Sequence, residues 1–379
     1  MASSSRNRKP TGAVRRERMT QSSPPRKAVA GHKRAPAGAS KAGAGAVDSR
    51  PRLVDVAHAA GVSTMTVVRV LREPDKVAQR TRERVLEVVR RTGYTPNLVA
   101  RGLVSNRTSL VAAVIPVLTN SLIAEIMQGL SDALASADYH LLIGASGFSA
   151  AEEETLVRAF LSRRVDAIYL TGIVHTDATV RMLKAAGIPV VEGGNLTRRP
   201  IDMLVGYSNV DAARDVTSYL IRAGYPTIGY IGAYPKDNDR ARDRRRGYEL
   251  AFARAKRRID PSLCVETTLD IDAGAQAMAT MLEHRPDVRA VFCSADAIAI
   301  GALYECQRRG LAIPGDIAIA GFDDTPIAAQ VVPALTTLRV PRYAIGLRAG
   351  EMIRDRLAGK PVRRRVVDTG YEFVPRTSA

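Results

Sequence analysis

The 379-residue sequence has no run of eighteen or more apolar residues, which leaves no segment long enough to cross a bilayer as a helix. Its opening residues, MASSSRNRKP, carry charge with no apolar stretch behind it, so no secretory signal is expected and the cytoplasm is the expected compartment. The cysteines Cys264, Cys293 and Cys306 are scattered, odd in number and without metal spacing. They fit a reducing interior, as small buried hydrophobes. The five histidines show no pairing. No glycine-rich dinucleotide fingerprint, phosphate loop or nucleophile elbow is found. Neither a cofactor, a metal nor a catalytic constellation is therefore expected, and the enzyme classes that need them are set aside.

Positive charge is abundant and unevenly spread. The net charge is +18. Residues 1–50 hold 12 Lys or Arg against Glu17 and Asp48, a net +10, and residues 51–107 are a net +6. The long remainder is only +2. An excess at one end is the electrostatic footprint of a phosphate-binding region, although a basic tail also serves as a solubilising extension. Residues 1–50 are rich in Ser, Ala, Gly, Pro, Arg and Lys. Without large apolar side chains to offset the entropy of ordering, that tail is expected to be disordered.

Beside this charge lies RLVDVAHAAGVSTMTVVRVL, Arg52 to Leu71. Val54, Val56, Ala57 and Ala60 give a first short helix one small apolar face. Gly61 supplies the turn, and Ser63 caps a second helix in which Val67, Val70 and Leu71 recur at helical spacing. Thr64, Met65, Thr66 and Arg69 are left facing outward. An ordinary helical hairpin shows the same pattern. A helix-turn-helix lays such a second helix in the DNA major groove, its first residues toward base edges. A third helix is expected from about Gln79 to Thr92, burying Val85, Leu86, Val88 and Val89, with Gly93 at its C-terminal cap. Then follow Tyr94-Thr95-Pro96-Asn97 and a short helical linker, Leu98 to Val104.

From Leu110 apolar strand-like runs alternate with amphipathic helical stretches: LVAAVIP, YHLLIGA, DAIYL and IPVVE in one series, then IGYIGA, RAVFCS and DIAIAGF in a second. Buried, β-branched strands alternating with helices mean parallel sheets covered by helices. Two series imply two doubly wound α/β subdomains, with ligand outside the carboxyl ends of the strands. No internal sequence repeat is evident. The expected fold class is thus α/β, a small all-α helix-turn-helix headpiece followed by two doubly wound parallel-sheet subdomains. The expected domains are a basic tail (1–50), the headpiece (51–96), a linker (97–108) and an α/β core (109–379).

Within the core, Arg240, Arg242, Arg244, Arg245 and Arg246 crowd the start of one helix. A solvated basic face is the ordinary reading for all but Arg244. Cations near a helix N-terminus oppose its dipole, which argues mildly for an anion held there. Glu192 and Asn195 follow the strand IPVVE, where loop residues reach the cleft. Asp296 begins a helix after a buried strand, as an N-cap, a ligand contact or both. Asp323-Asp324, without nearby His or further acids, reads as a surface turn rather than a metal pair.

The stretches DVAHAAGVSTMTVVRVL, GYTPNLVARGL, VFCSADAIAIGALYECQRRGL, DIAIAGFDD and PALTTLRV together resemble the LacI family of bacterial transcription repressors, from residue 51 to the C-terminus. VSTMTVVRVLREPDKV, IPVLTNSLIAEIMQGL, AGIPVVE and VGYSNVDAAR look most like its gluconate-operon repressor branch. The resemblance implies a periplasmic-binding-protein-like core, a homodimer or tetramer, double-stranded operator DNA as partner, and a small effector in the cleft between the subdomains. It places base reading on Thr64, Met65 and Arg69, with Thr66 on the same exposed stretch. It places a minor-groove wedge at Leu103, with Asn97 and Ala100 in the same linker. Arg244 and Asp296 match the family's pocket Arg and Asp. Val68 stands where a phosphate-contacting Ser is usual and Leu98 where a basic residue is common, departures that weaken backbone contacts. The expected function is a repressor controlled by a sugar or sugar acid such as gluconate, held by Arg244 with Asp296 on its hydroxyls. A transport-type sugar-binding protein shares the α/β body, but needs an export signal and no DNA headpiece.

Overall fold

The computed structural model describes residues 51–95, 107–118 and 121–379. The basic tail and most of the linker, with the expectations attached to them, lie outside the described residues. Two compact units divide the chain, Met1–Thr95 and Pro96–Ala379.

In the first unit, α1 (Leu53–Ala60) and α2 (Thr64–Arg72) meet at 98°. Gly61 makes the turn between them with φ 59°, and the Ser63 hydroxyl accepts the Thr66 amide at 3.1 Å. The third helix, α3 (Gln79–Thr92), ends at Gly93 with φ 64°. Val56, Ala57, Ala60, Val67, Val70, Val85 and Val88 form the small common core. Val54 departs from expectation. It is 64% exposed, because its position on α1 turns away from both partner helices. Among the described residues no single helix is long and apolar enough to cross a membrane.

The second unit carries two parallel sheets. The first takes β1 (Leu110–Ile115), β2 (His140–Ala145), β3 (Ala167–Thr171), β4 (Val190–Gly193) and β5 (Met203–Gly206), and the late strand β11 (Val366–Asp368), in the order β11-β5-β4-β3-β1-β2. The second takes β6 (Ile228–Ala233), β7 (Cys264–Thr267), β8 (Ala290–Cys293) and β9 (Ala318–Ala320) in the order β7-β6-β8-β9. Counted within each series, both sheets begin second-first-third-fourth, so the topology repeats although the sequence shows no repeat. Strands β10 (Thr337–Arg339) and β12 (Glu372–Val374) pair antiparallel beside the second series. The sequence reading missed β5, β7, β11 and these late strands, each only three or four residues long and without the longer apolar run that marked β4, β8 and β9.

Helices cover both sheets. Their approach is closest where the helix Ser121–Ala135 crosses Arg342–Leu357: a Cβ built on Gly346 would lie 1.9 Å from the Ile126 carbonyl oxygen, and one on Gly129 2.2 Å from that of Tyr343. The chain passes more than once between the two halves. After β9 and β10 of the second half, the helix Arg342–Leu357 packs over the first sheet, and β11 closes that sheet beside β5.

Candidate functional site

A cavity of about 230 Å³ lies where the carboxyl ends of both sheets converge. Pro116 and Val117 follow β1, Phe148 follows β2, Thr171 ends β3 and Gly194 follows β4. Ala233, Ser294 and Asp323 stand at or just beyond the ends of β6, β8 and β9. This is where doubly wound sheets hold ligands, since only there do loops from many strands meet. One wall is apolar, with Leu122, Ile123 and Ile126 from a single helix face beside Phe148 and Val340. The polar part of the lining is Arg240, Arg244, Arg342, Asp323 and Thr325.

Arg240 and Arg244 belong to the helix Asp239–Arg254, which Asn238 caps by accepting the Ala241 amide at 3.2 Å. One turn apart, both point into the cavity. Arg244 is tightly bound by protein. Its Nε donates to Asn209 Oδ1 (2.9 Å), Nη1 to the Ser294 carbonyl (2.5 Å) and Nη2 to the Tyr207 hydroxyl (3.0 Å). Asp323 Oδ1 lies 3.5 Å from Nη2, and the guanidinium stacks 3.8 Å above the Phe322 ring. Arg240 has a single hydrogen-bond partner among the described residues, Asp239, at 3.1 Å from Nη1, and its charge also acts on Asp323. Arg342 donates to Glu125 and to the carbonyls of Asp323 and Asp324.

Two expectations about Asp323-Asp324 and the arginines need correcting. The aspartates are not a surface turn. Asp323 is 4% exposed and faces the cavity, while Asp324 pairs with Arg339 (2.7 Å) and Arg376 (2.6 Å). Burial pushes the Asp323 carboxyl up to about 6, against the pull of Arg244 and Arg342. Nor is the arginine cluster one solvated face: Arg242 and Arg246 are exposed, but Arg240 lines the cavity and Arg245 stacks 5.2 Å over Tyr230.

Of the expected effector contacts, only Arg244 lines the cavity. Asp296 is fully buried, and its carboxylate is taken up elsewhere: Oδ2 accepts the Thr325 amide (2.7 Å) and hydroxyl (3.0 Å), and Oδ1 the Thr337 hydroxyl (2.6 Å). It is not an N-cap either, since Ala295 holds that position. Burial, with Asp323 nearby, pushes its carboxyl up to about 7. Glu192 is directed away from the cavity, accepting the Ile201 amide and lying 3.4 Å from His175 Nε2. Asn195 donates through Nδ2 to Asp239 and to Asp243, at 2.8 Å each, so it touches the arginine helix rather than the cavity. Asp323 and Arg342 were missed. For Asp323 the signal was its place just after the strand DIAIAGF; for Arg342 no local signal existed. Among the described residues no cluster of His, Cys, Asp or Glu has the makings of a metal site.

On the headpiece, Thr64, Met65 and Arg69 are exposed, Met65 at 66%. Thr66 is half-buried, with its hydroxyl 2.9 Å from that of Ser63, which ties it to the cap as well as to the exposed face. Asn97, Ala100 and Leu103 lie outside the described residues.

Comparison with known proteins adds to this geometry. Residues 52–97 match the model of bacterial regulatory proteins of the lacI family, and residues 217–379 that of a periplasmic binding protein-like domain. The chain is 34% identical to the HTH-type transcriptional regulator GntR of Escherichia coli strain K12, over 86% of this chain and 98% of that protein. The chain belongs to the lacI family. This LacI-family chain is also 32% identical to the HTH-type transcriptional repressor CytR of the same strain, over 81% of its own length and 90% of that protein. A solved LacI-family regulator from Silicibacter pomeroyi superposes with a TM-score of 0.81 at 32% identity, covering 86% of this chain and 99% of that one. The protein is accordingly a DNA-binding transcriptional repressor of the LacI family, whose members are regulators rather than enzymes.

Proposed function

We propose that this repressor binds a pseudo-palindromic operator as a dimer and that a small sugar acid of the gluconate type, held in the cavity, controls that binding. The observation that carries the effector reading is the cavity wall, where three arginines face one carboxylate, Asp323. A guanidinium suits a carboxylate because its planar fork donates parallel hydrogen bonds, and an ionised Asp accepts from hydroxyls. The volume suits one small metabolite, being below the roughly 300–1,000 Å³ of drug-sized pockets. The likeness to the gluconate-operon branch supports the same ligand class. In this reading Thr64, Met65, Thr66 and Arg69 meet the bases, with Asn97, Ala100 and Leu103 in the linker, and 51–96, 97–108 and 109–379 are the working divisions of the chain. Calorimetry with gluconate, 2-ketogluconate and glucose, run beside an operator-release assay, tests it. Gluconate binding with a change in operator affinity is expected, and Arg244→Ala should lose the response while still binding operator. Glucose binding as tightly as gluconate would overturn the sugar-acid assignment.

A further inference from the structure

We infer that Arg240, rather than Arg244, receives the carboxylate of the effector and sets the preference for an acid over a neutral sugar. The inference rests on the sugar-acid reading above and assigns its decisive contact. A guanidinium has five N–H donors in a planar fork, and a carboxylate takes two parallel ones. Arg244 has spent that fork. Its Nε, Nη1 and Nη2 already serve Asn209, Ser294 and Tyr207, with Asp323 close to Nη2 and Phe322 beneath the plane. The N–H that remains on Nη1 has no second, parallel N–H beside it.

Arg240 is the opposite case. Only Nη1 is engaged, with Asp239 Oδ1, which leaves the Nε and Nη2 edge without a partner among the described residues. Its side chain is only 15% exposed. A cation so far withdrawn from water with most donors unmatched carries a desolvation cost that a ligand carboxylate would offset. The surroundings keep it in place. Asp239 Oδ2 accepts from Asn195 of the first half, so Asn195 acts as a positioning residue for Arg240 across the cleft. Room for the guanidinium comes from Gly172, where φ is 109° and a built Cβ would stand 2.8 Å from Nη1, and from Gly194, where a Cβ would stand 3.6 Å from Cδ. Thr171, the neighbour of Gly172, lines the same cavity, with its hydroxyl buried beside that of Tyr169.

The test is calorimetry on the full chain with gluconate and with D-glucitol, which keeps the hydroxylated chain and lacks the carboxylate. Wild type should prefer gluconate. Arg240→Gln should lose roughly 10- to 100-fold of gluconate affinity and leave D-glucitol affinity largely unchanged, so that the ratio collapses. Arg240→Lys, which keeps charge beside Asp239 but not the fork, should fall between the two. Wild-type operator affinity in each variant verifies its fold. A gluconate to D-glucitol ratio that stays at the wild-type value in either variant overturns the assignment to Arg240 and leaves the sugar-acid reading standing. A wild type that binds both compounds equally overturns the reading, and this inference with it.

Discussion

Arg342 and Glu125, far apart in sequence, meet as a two-point pair, with Nε to Oε2 and Nη2 to Oε1 both at 3.1 Å. The third nitrogen, Nη1, donates to the Asp323 carbonyl, and Nη2 also reaches that of Asp324 at 3.3 Å. One side chain therefore ties a helix of the first half to the cavity loop of the second. Arg342 is 8% exposed, whereas the Glu125 side chain is 42% exposed. Arg342→Met should cost roughly 2–4 kcal/mol, because two loop carbonyls lose their donor and the carboxylate its partner. Glu125→Gln should cost under about 1 kcal/mol, since the carboxylate stays in contact with water. Urea unfolding of both variants checks this; equal losses would contradict it.

Gly346→Ala should be costly for a different reason. Its Cβ would fall 1.9 Å from the Ile126 carbonyl oxygen, backbone that cannot rotate aside. The two helices must part, at a cost of about 1–3 kcal/mol or more. Ile126 and Ile345 both line the cavity, so effector affinity should fall with stability. A variant with unchanged unfolding midpoint would show that the helices do not approach this closely.

His175 gives the fold a pH dependence. It is buried between Glu153, 2.7 Å from Nδ1, and Glu192, 3.4 Å from Nε2. Burial alone would depress its pKa, but the two carboxylates outweigh burial and raise it to about 9 from an ordinary 6.5. A folded-state pKa above the unfolded one stabilises fully below pH 6.5, and that contribution is lost as pH rises through about 9. The loss should be on the order of 1–3 kcal/mol. Thermal melts across this range should show it, and His175→Gln should flatten the profile. A wild-type stability that rises with pH over the window would contradict the sign.

Asp323 should make ligand affinity depend on pH. Its carboxyl, raised by burial to about 6, loses its negative charge as pH falls through that value. The cavity then becomes more positive, and the gain in attraction for the carboxylate outweighs the weaker acceptance of one hydroxyl, so gluconate should bind more tightly as pH falls through about 6. Asp296 is raised to about 7 but does not line the cavity, so Asp323→Asn should remove most of the dependence on its own. Calorimetry at several pH values would settle the sign, and an affinity that weakens on acidification would refute it.

On the headpiece, Arg69→Ala should cost ~1–3 kcal/mol of operator binding and relax specificity at one position of each half-site. The residue is exposed on α2, near the exposed Thr64 and Met65. Titration of operator and point-substituted duplexes at fixed salt measures both effects. A uniform loss across all duplexes would place Arg69 on phosphate rather than on a base.

Local order was legible wherever it depends on neighbours in the chain. The turn at Gly61, the Ser63 cap, the span Gln79–Thr92 with its Gly93 stop, and the alternation of strand and helix all follow from backbone preference and apolar spacing. That the cavity would lie at the strand ends followed from the fold class, and family membership was carried by stretches such as DVAHAAGVSTMTVVRVL. Which side chains face that cavity was not legible, because direction at a strand end depends on partners distant in sequence. Asp296 and Asn195 stand just past the right strand ends yet turn to Thr337 and Asp239, while Arg240 slips past Gly172 and Arg342 arrives from a later crossing. Sequence alone determined most of the elements and their order. Only tertiary packing decided which arginine already has its hydrogen-bond partners and which still has donors to offer a ligand.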